Sequence, residues 1–200
     1  MSEIRSFIAI EIPETILQKF AIVTNLLPVG QSGGIRWIHP SNIHLTLRFL
    51  GNISPNDLDG LGRILNGITI KHSVFKVTIQ KVGAFPNRYS PRIVWVGVDP
   101  TPELLQIQDE IETQLTQMDY KSENRPFTPH VTIGRVSDHF KQVNPSLISE
   151  ILARFQNEYF GSYFANEIKL FRSELRPTGA IYSTLHVAKL QSIFSERGDP

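Results

Sequence analysis

The chain has no cysteine among its 200 residues. Disulfides, thiolate zinc sites and cysteine nucleophiles are therefore excluded, and the composition agrees with a reducing compartment. Long apolar runs are also missing. The stretch 7–10 is too short for a secretory h-region and stops at Glu11, and nothing approaches the roughly 20 residues of a membrane span. A soluble, cytoplasmic protein is the expectation. There is no excess of one charge sign: 20 Lys and Arg stand against 19 Asp and Glu, a net charge of +1. A broadly basic nucleic-acid coat is thus ruled out, while a local arginine patch is not. There is no His-Glu-x-x-His, and Gly30-Gln31-Ser32-Gly33-Gly34 lacks the lysine and hydroxyl residue of a phosphate-binding loop. The acids Asp57, Asp59, Glu110 and Glu112 fall in helical patterns away from the histidine motifs. No metal site is predicted.

What the sequence does hold is one short motif written twice. His44-Leu45-Thr46-Leu47 and His130-Val131-Thr132-Ile133 lie 86 residues apart. Side chains on a strand alternate between faces, so each His and Thr share one face and the residue between them takes the other. Singly, each Thr is explained by its preference for strands and each His by ordinary packing. Two copies in the same apolar frame favour a common purpose. Together they supply two imidazoles and two hydroxyls. An unperturbed imidazole pKa of about 6.5 leaves both protonation states accessible near neutrality, so one ring can take a proton while the other gives one. That is the inventory for acid–base chemistry at a phosphoester without a metal.

Around the motifs, strand-like and helical patterns are interspersed. Strand patterns cover 7–12, 36–38, 43–50, 75–82, 93–98, 130–136, 164–175 and 181–190. Apolar stripes of helical period run through Ile16, Leu17, Phe20 and Val23, and through Ile148, Ile151, Leu152 and Phe155. Ser54-Pro55-Asn56-Asp57 opens a helix reaching about residue 66, and Thr101-Pro102-Glu103 opens another with Leu104, Ile107, Ile111 and Leu115 inward. Both starts place a capping hydroxyl before a first-turn proline and an acid. The mixture predicts an α+β fold with antiparallel sheets. Each His-x-Thr strand has a capped helix shortly after it. The simplest architecture is therefore one bilobal domain over 1–200, with two similar lobes facing a cleft and helices outside.

Parity then sorts the side chains. His44, Thr46 and Arg48 share a face opposite Leu45, Leu47 and Phe49. In the second strand, parity puts Arg135 with the apolar set unless a bulge at Gly134 turns it back to the pocket. His39, His72 and His139 read as turn, loop or surface residues; His186, by parity with Tyr182 and Thr184, would border the cleft. Trp37, Phe85, Tyr89 and Phe127 stand near the motifs, where a ring can stack on a base, although packing is the simpler account of each.

With these residues in view, the chain resembles the 2H phosphoesterase superfamily. The likeness is carried in order by Phe7-Ile-Ala-Ile-Glu-Ile, Arg36-Trp37, His44-Leu-Thr-Leu-Arg-Phe-Leu-Gly51, Gly83-Ala-Phe-Pro86, Pro91-Arg-Ile-Val-Trp-Val-Gly97, Phe127-Thr-Pro-His-Val-Thr-Ile-Gly-Arg135 and Leu175-Arg-Pro-Thr-Gly-Ala-Ile-Tyr182. Within it, the chain is most similar to the RNA 2′,3′-cyclic phosphodiesterases, whose bacterial members are also called 2′-5′ RNA ligases. The resemblance implies two antiparallel sheets related by a pseudo-twofold and metal-independent opening of an RNA 2′,3′-cyclic phosphate to a 2′-phosphate. It implies His44 as general acid, His130 as general base, and Thr46, Thr132 and Arg135 on the phosphate. No cofactor is expected. The expected partner is RNA with a cyclic phosphate end, or a cyclic nucleotide, bound by a monomer. Two alternatives stay open: ligation by the reverse reaction, and RNA-end binding without turnover.

Overall fold

The computed structural model describes residues 2–26, 34–123, 125–137, 145–177 and 179–192. Nine strands lie among them: β1 (Ile4–Glu11), β2 (Ile35–Trp37), β3 (His44–Ile53), β4 (Phe75–Phe85), β5 (Ile93–Val98), β6 (His130–Val136), β7 (Tyr159–Ala165), β8 (Glu167–Arg176) and β9 (Gly179–Lys189). Five α-helices accompany them: α1 (Glu14–Leu17), α2 (Ala21–Thr24), α3 (Leu58–Thr69), α4 (Pro102–Gln117) and α5 (Pro145–Phe155). The pattern predicted over 164–175 as one strand is two: β7 and β8, separated at Asn166, pair with different partners, β4 and β1. The first helical pattern is also broken, since α1 and α2 are separated by a 3-10 turn at Gln18–Phe20.

The helix starts follow their capping chemistry. Thr101 accepts a hydrogen bond from the Leu104 amide at 3.4 Å, with Pro102 in the first position of α4. Ser54 accepts from the Asn56 amide at 3.2 Å and opens a 3-10 turn that feeds α3. Leu104, Ile107, Ile111 and Leu115 of α4 and Leu61, Leu65 and Ile68 of α3 are buried, as their helical spacing requires.

Every strand pairing is antiparallel, and the strand order is β7-β4-β5-β6-β3-β1-β8-β9, with β2 beside β6. The resemblance implies two separate sheets; the ladders form one path, joined at its middle by a single residue pair, Leu45 with Val131. Beyond that pair β3 leaves β6, and β2 takes its place at Gly134, Arg135 and Val136. Helices cover one face: α5 packs on β4, α1 on β7, α3 on β8 and β9, and α4 on β3 and α3. The main apolar core lies beneath them and runs across both halves of the sheet. On the other face a small cluster forms from Phe7, Ala9 and Phe171, with Tyr182 against it. No helix among the described residues is long and apolar enough to cross a membrane.

Candidate active site

The pair Leu45–Val131 fixes the register of the two motifs. One residue outward from it, His44 falls beside Thr132 and Thr46 beside His130. Leu45 and Val131 are fully buried toward the helices, so alternation sends all four polar side chains to the uncovered face. The two histidines are then diagonal neighbours, a relation that spans about 7–8 Å in an antiparallel pair. The structure thus brings His44, Thr46, His130 and Thr132 together.

Both imidazoles are held the same way. His44 Nδ1 lies 3.0 Å from the Asn42 carbonyl oxygen, and His130 Nδ1 lies 2.6 Å from that of Thr128. A carbonyl oxygen only accepts, so each Nδ1 donates and carries the proton. In the neutral ring Nε2 is then the basic nitrogen, and in the imidazolium it is the donor. Each histidine presents the same reactive atom.

Aromatic rings fix the imidazole planes. Phe7 stacks on His44 at 4.6 Å with 24° between planes, and Tyr182 meets it edge-on at 5.3 Å. Phe85 meets His130 edge-on at 4.9 Å, with Trp95 at 6.4 Å. Gly83 makes room for Trp95, because a Cβ there would come within 2.1 Å of the indole. Of these rings only Phe85 was singled out from sequence as a candidate beside the motifs. Phe7, Trp95 and Tyr182 reach the histidines from other strands, so their role depends on pairings that no local pattern reveals.

Three bulges decide which residues join this face. Along β5–β6, Trp95 pairs with Thr132 and Val94 with Gly134, skipping Ile133. Ile133 and Gly134 therefore both turn inward, and Arg135 returns to the histidine face as an exposed side chain. Along β1–β3 the same shift occurs at the same offset from the histidine: Ala9 pairs with Thr46 and Ile8 with Arg48, skipping Leu47. Arg48 is therefore not on the face of His44, as simple alternation predicts. It is buried beneath α4, 2.6 Å from Glu112. Phe49 takes the outward position instead, half-exposed and 6.0 Å from Phe7. A third bulge skips Leu185, between the pairs Leu170–His186 and Phe171–Thr184. It sends His186 to the helix side, where Nε2 lies 3.0 Å from Asn66 Oδ1. His186 does not border the site.

Comparison with known proteins now decides the family. The family model of the 2′-5′ RNA ligase superfamily matches residues 36–174. The chain belongs to the 2′-5′ RNA ligase superfamily. It is 32% identical over 183 residues to an RNA 2′,3′-cyclic phosphodiesterase of Archaeoglobus fulgidus, covering 92% of this chain and 98% of that one. An equally named protein of Methanocaldococcus jannaschii is 32% identical, with 90% and 98% covered. The crystal structure of Escherichia coli LigT complexed with 3′-AMP superposes with a TM-score of 0.74 at 26% identity, covering 94% of this chain and 98% of that one.

In this superfamily member the surroundings of His44 shift its titration. Burial, outweighing the Asn42 hydrogen bond and assisted by the Arg135 charge, lowers the His44 pKa to about 4. Burial raises the neighbouring Tyr182 hydroxyl above its ordinary value, against the opposing fields of Arg135 and Arg5. Arg135 is thus felt at His44 and Tyr182, across the seam from its own strand.

The remaining candidates have structural roles or fall elsewhere. His39 pairs with Ser41 Oγ at 2.8 Å in a turn, and His72 pairs with Glu110 at 2.9 Å beneath α4. Trp37 covers Gly134 from the inner side, and Phe127 packs on the core. Tyr89 is exposed beneath the Arg88 guanidinium, 4.8 Å from its centre. His139 and Gly30–Gly33 lie outside the described residues. Cavities of about 370 and 420 Å³ lie beside α3, where His186 lines the wall, and at the β1–β7 end, and neither includes His44 or His130.

Proposed function

We propose that the protein hydrolyses RNA 2′,3′-cyclic phosphate ends to 2′-phosphomonoesters, using His130 as general base and His44 as general acid. The two ladders act as lobes related by a pseudo-twofold through the Leu45–Val131 pair, and the phosphate lies between the two His-x-Thr strands of this single bilobal domain. Water attacks phosphorus opposite O3′. His130 Nε2 takes the proton of water as the new P–O bond forms. The P–O3′ bond breaks, and His44 Nε2–H gives its proton to the departing oxygen. Thr46, Thr132 and Arg135 hold the phosphoryl oxygens and offset their growing charge.

One observation carries this reading: two imidazoles on adjacent strands, each with Nδ1 committed to a backbone carbonyl and Nε2 presented on the same face. The names of the relatives support the substrate class, and the 3′-AMP in E. coli LigT supports a nucleoside phosphate as ligand. The lowered His44 pKa fits the acid role only when substrate supplies an opposing charge. A bound phosphodiester anion does so, because it neutralises Arg135 and favours the imidazolium directly.

The deciding experiment incubates an RNA oligonucleotide bearing a 2′,3′-cyclic phosphate with the protein in excess chelator. A 2′-phosphate product is expected. A longer strand in the presence of a 5′-hydroxyl RNA would establish ligation, and an unchanged oligonucleotide that remains bound would establish a binding module.

A further inference from the structure

We propose that Arg36, set across from Arg135, binds the phosphate that precedes the terminal nucleotide, so that the protein prefers the end of an RNA strand to a free cyclic mononucleotide. The inference rests on the phosphodiesterase reading and adds a substrate-length determinant to it.

The strand β2 has only three residues, and each has a distinct position. Ile35 is buried, and Trp37 covers the inner side of Gly134. Between them Arg36 points to the opposite, exposed side, directly across from Arg135. The pairing is extended at both ends, by the Ile38 amide donating to the Ile133 carbonyl at 2.8 Å and the Ser137 amide donating to that of Gly34 at 2.7 Å. Arg36 is therefore fixed at its backbone next to Arg135, on the strand that takes the place of β3 along β6.

Like charges directly opposite each other on neighbouring strands are unfavourable. Several other cations of the sheet have a counter-charge: Arg48 pairs with Glu112, Lys169 with Glu11 and Glu167, and Arg172 and Arg176 with Glu174. Arg36 and Arg135 make no ion pair with a described carboxylate. Two adjacent guanidiniums without a counter-charge suit an anion from outside, and their planar donors fit phosphate oxygens. The reacting phosphate lies with the histidines, the threonines and the Arg135 guanidinium, whereas the backbone of Arg36 is paired three residues along β6 from Thr132. At about 3.4 Å per residue that separation is of the order of 10 Å before the bulge shortens it. A cyclic mononucleotide carries one phosphate and leaves Arg36 without a partner. A strand end carries a second phosphate one nucleotide away.

The test compares a dinucleotide ending in a 2′,3′-cyclic phosphate with the corresponding cyclic mononucleotide. For Arg36→Gln, the ratio of kcat/KM for the two substrates is expected to fall about tenfold from its wild-type value, and Arg36→Lys is expected to recover part of it. The salt dependence of oligonucleotide binding is expected to lose about 0.7 in log–log slope, the share of one phosphate contact on a single strand. The same ratio is read independently by equilibrium binding of a 3′-phosphorylated dinucleotide against a 3′-mononucleotide. An unchanged ratio in both readouts would overturn the proposal. Wild-type protein that turns over neither cyclic substrate overturns the parent reading instead, and the binding ratio still decides the role of Arg36.

Discussion

The strands β3 and β6 begin alike and end differently. Each runs His, apolar, Thr, apolar, and each is bulged at the fourth residue of that series. The next two positions then turn inward and outward in that order. In β3 they hold Arg48 and Phe49; in β6 they hold Gly134 and Arg135. The inward arginine is accommodated by Glu112, by the Phe49 carbonyl at 2.7 Å and by the Lys121 carbonyl. The inward glycine leaves a space that the Trp37 ring fills. The outward pair sets an aromatic ring on one strand against a guanidinium on the other. A shared backbone irregularity thus serves a structural ion pair in one half and sets an exposed arginine on the histidine face in the other.

The sharpest way to break the comparison is at its shared element. His44→Ala and His130→Ala are each expected to lower turnover by about 10²–10⁴-fold, the usual size of a general acid or base contribution. Both variants should keep their fold, because neither ring belongs to the main apolar core. A variant with intact circular dichroism and near-wild-type turnover would remove that histidine from the scheme.

The inward positions should respond in stability. Glu112→Leu strands the buried Arg48 guanidinium and is expected to cost about 3 kcal/mol, the low end for breaking a buried pair because Glu112 is 21% exposed. Urea denaturation reads this effect. A loss below about 1 kcal/mol would show that the backbone carbonyls and Glu123, 3.9 Å away, hold Arg48 without Glu112.

The outward positions should respond in activity. Arg135→Gln is expected to lower kcat/KM by about 10²-fold, as for removal of one donor to a developing oxyanion. Phe49→Ala should change KM more than kcat. Equal effects on kcat from the two variants would contradict the functional difference between the strands.

The smallest expected effect is in pH dependence. The His44 pKa of about 4 lies below its unfolded value of about 6.5. Between these values the unfolded chain binds more protons, so stability falls as pH drops from about 6.5 to about 4. His44→Gln should flatten that slope in urea midpoints. Binding of a 2′-phosphorylated product should take up protons near pH 6 if the anion raises the His44 pKa. Calorimetry in buffers of different ionisation enthalpy measures this uptake, and none would argue against His44 as the acid.

Much of this arrangement was legible in the chain itself. The two motifs, the capped start of α4, the Ser54 turn that feeds α3, and the bounds of β5 and β6 follow from spacing and turn chemistry. The possible bulge at Gly134 was also visible, because a glycine late in an apolar alternation invites one. Arg48 and His186 were misplaced because a bulge inserts one residue and reverses every face beyond it. At Arg48 no glycine marks the insertion, which shows only in the register with β1. The break between β7 and β8 escaped for a related reason. Residues 164–175 contain no glycine or proline to mark a turn, and different strand partners divide them. The rings around the histidines come from four strands and needed the sheet order.

The two-histidine scheme is tested most directly by a 2′,3′-cyclic substrate with sulfur in place of O3′. A thiolate leaves without a proton, so a missing general acid is no longer limiting, whereas a missing base still is. The scheme predicts that this substrate restores His44→Ala to near wild-type turnover and leaves His130→Ala impaired. Rescue of His130→Ala, or of neither variant, would contradict it.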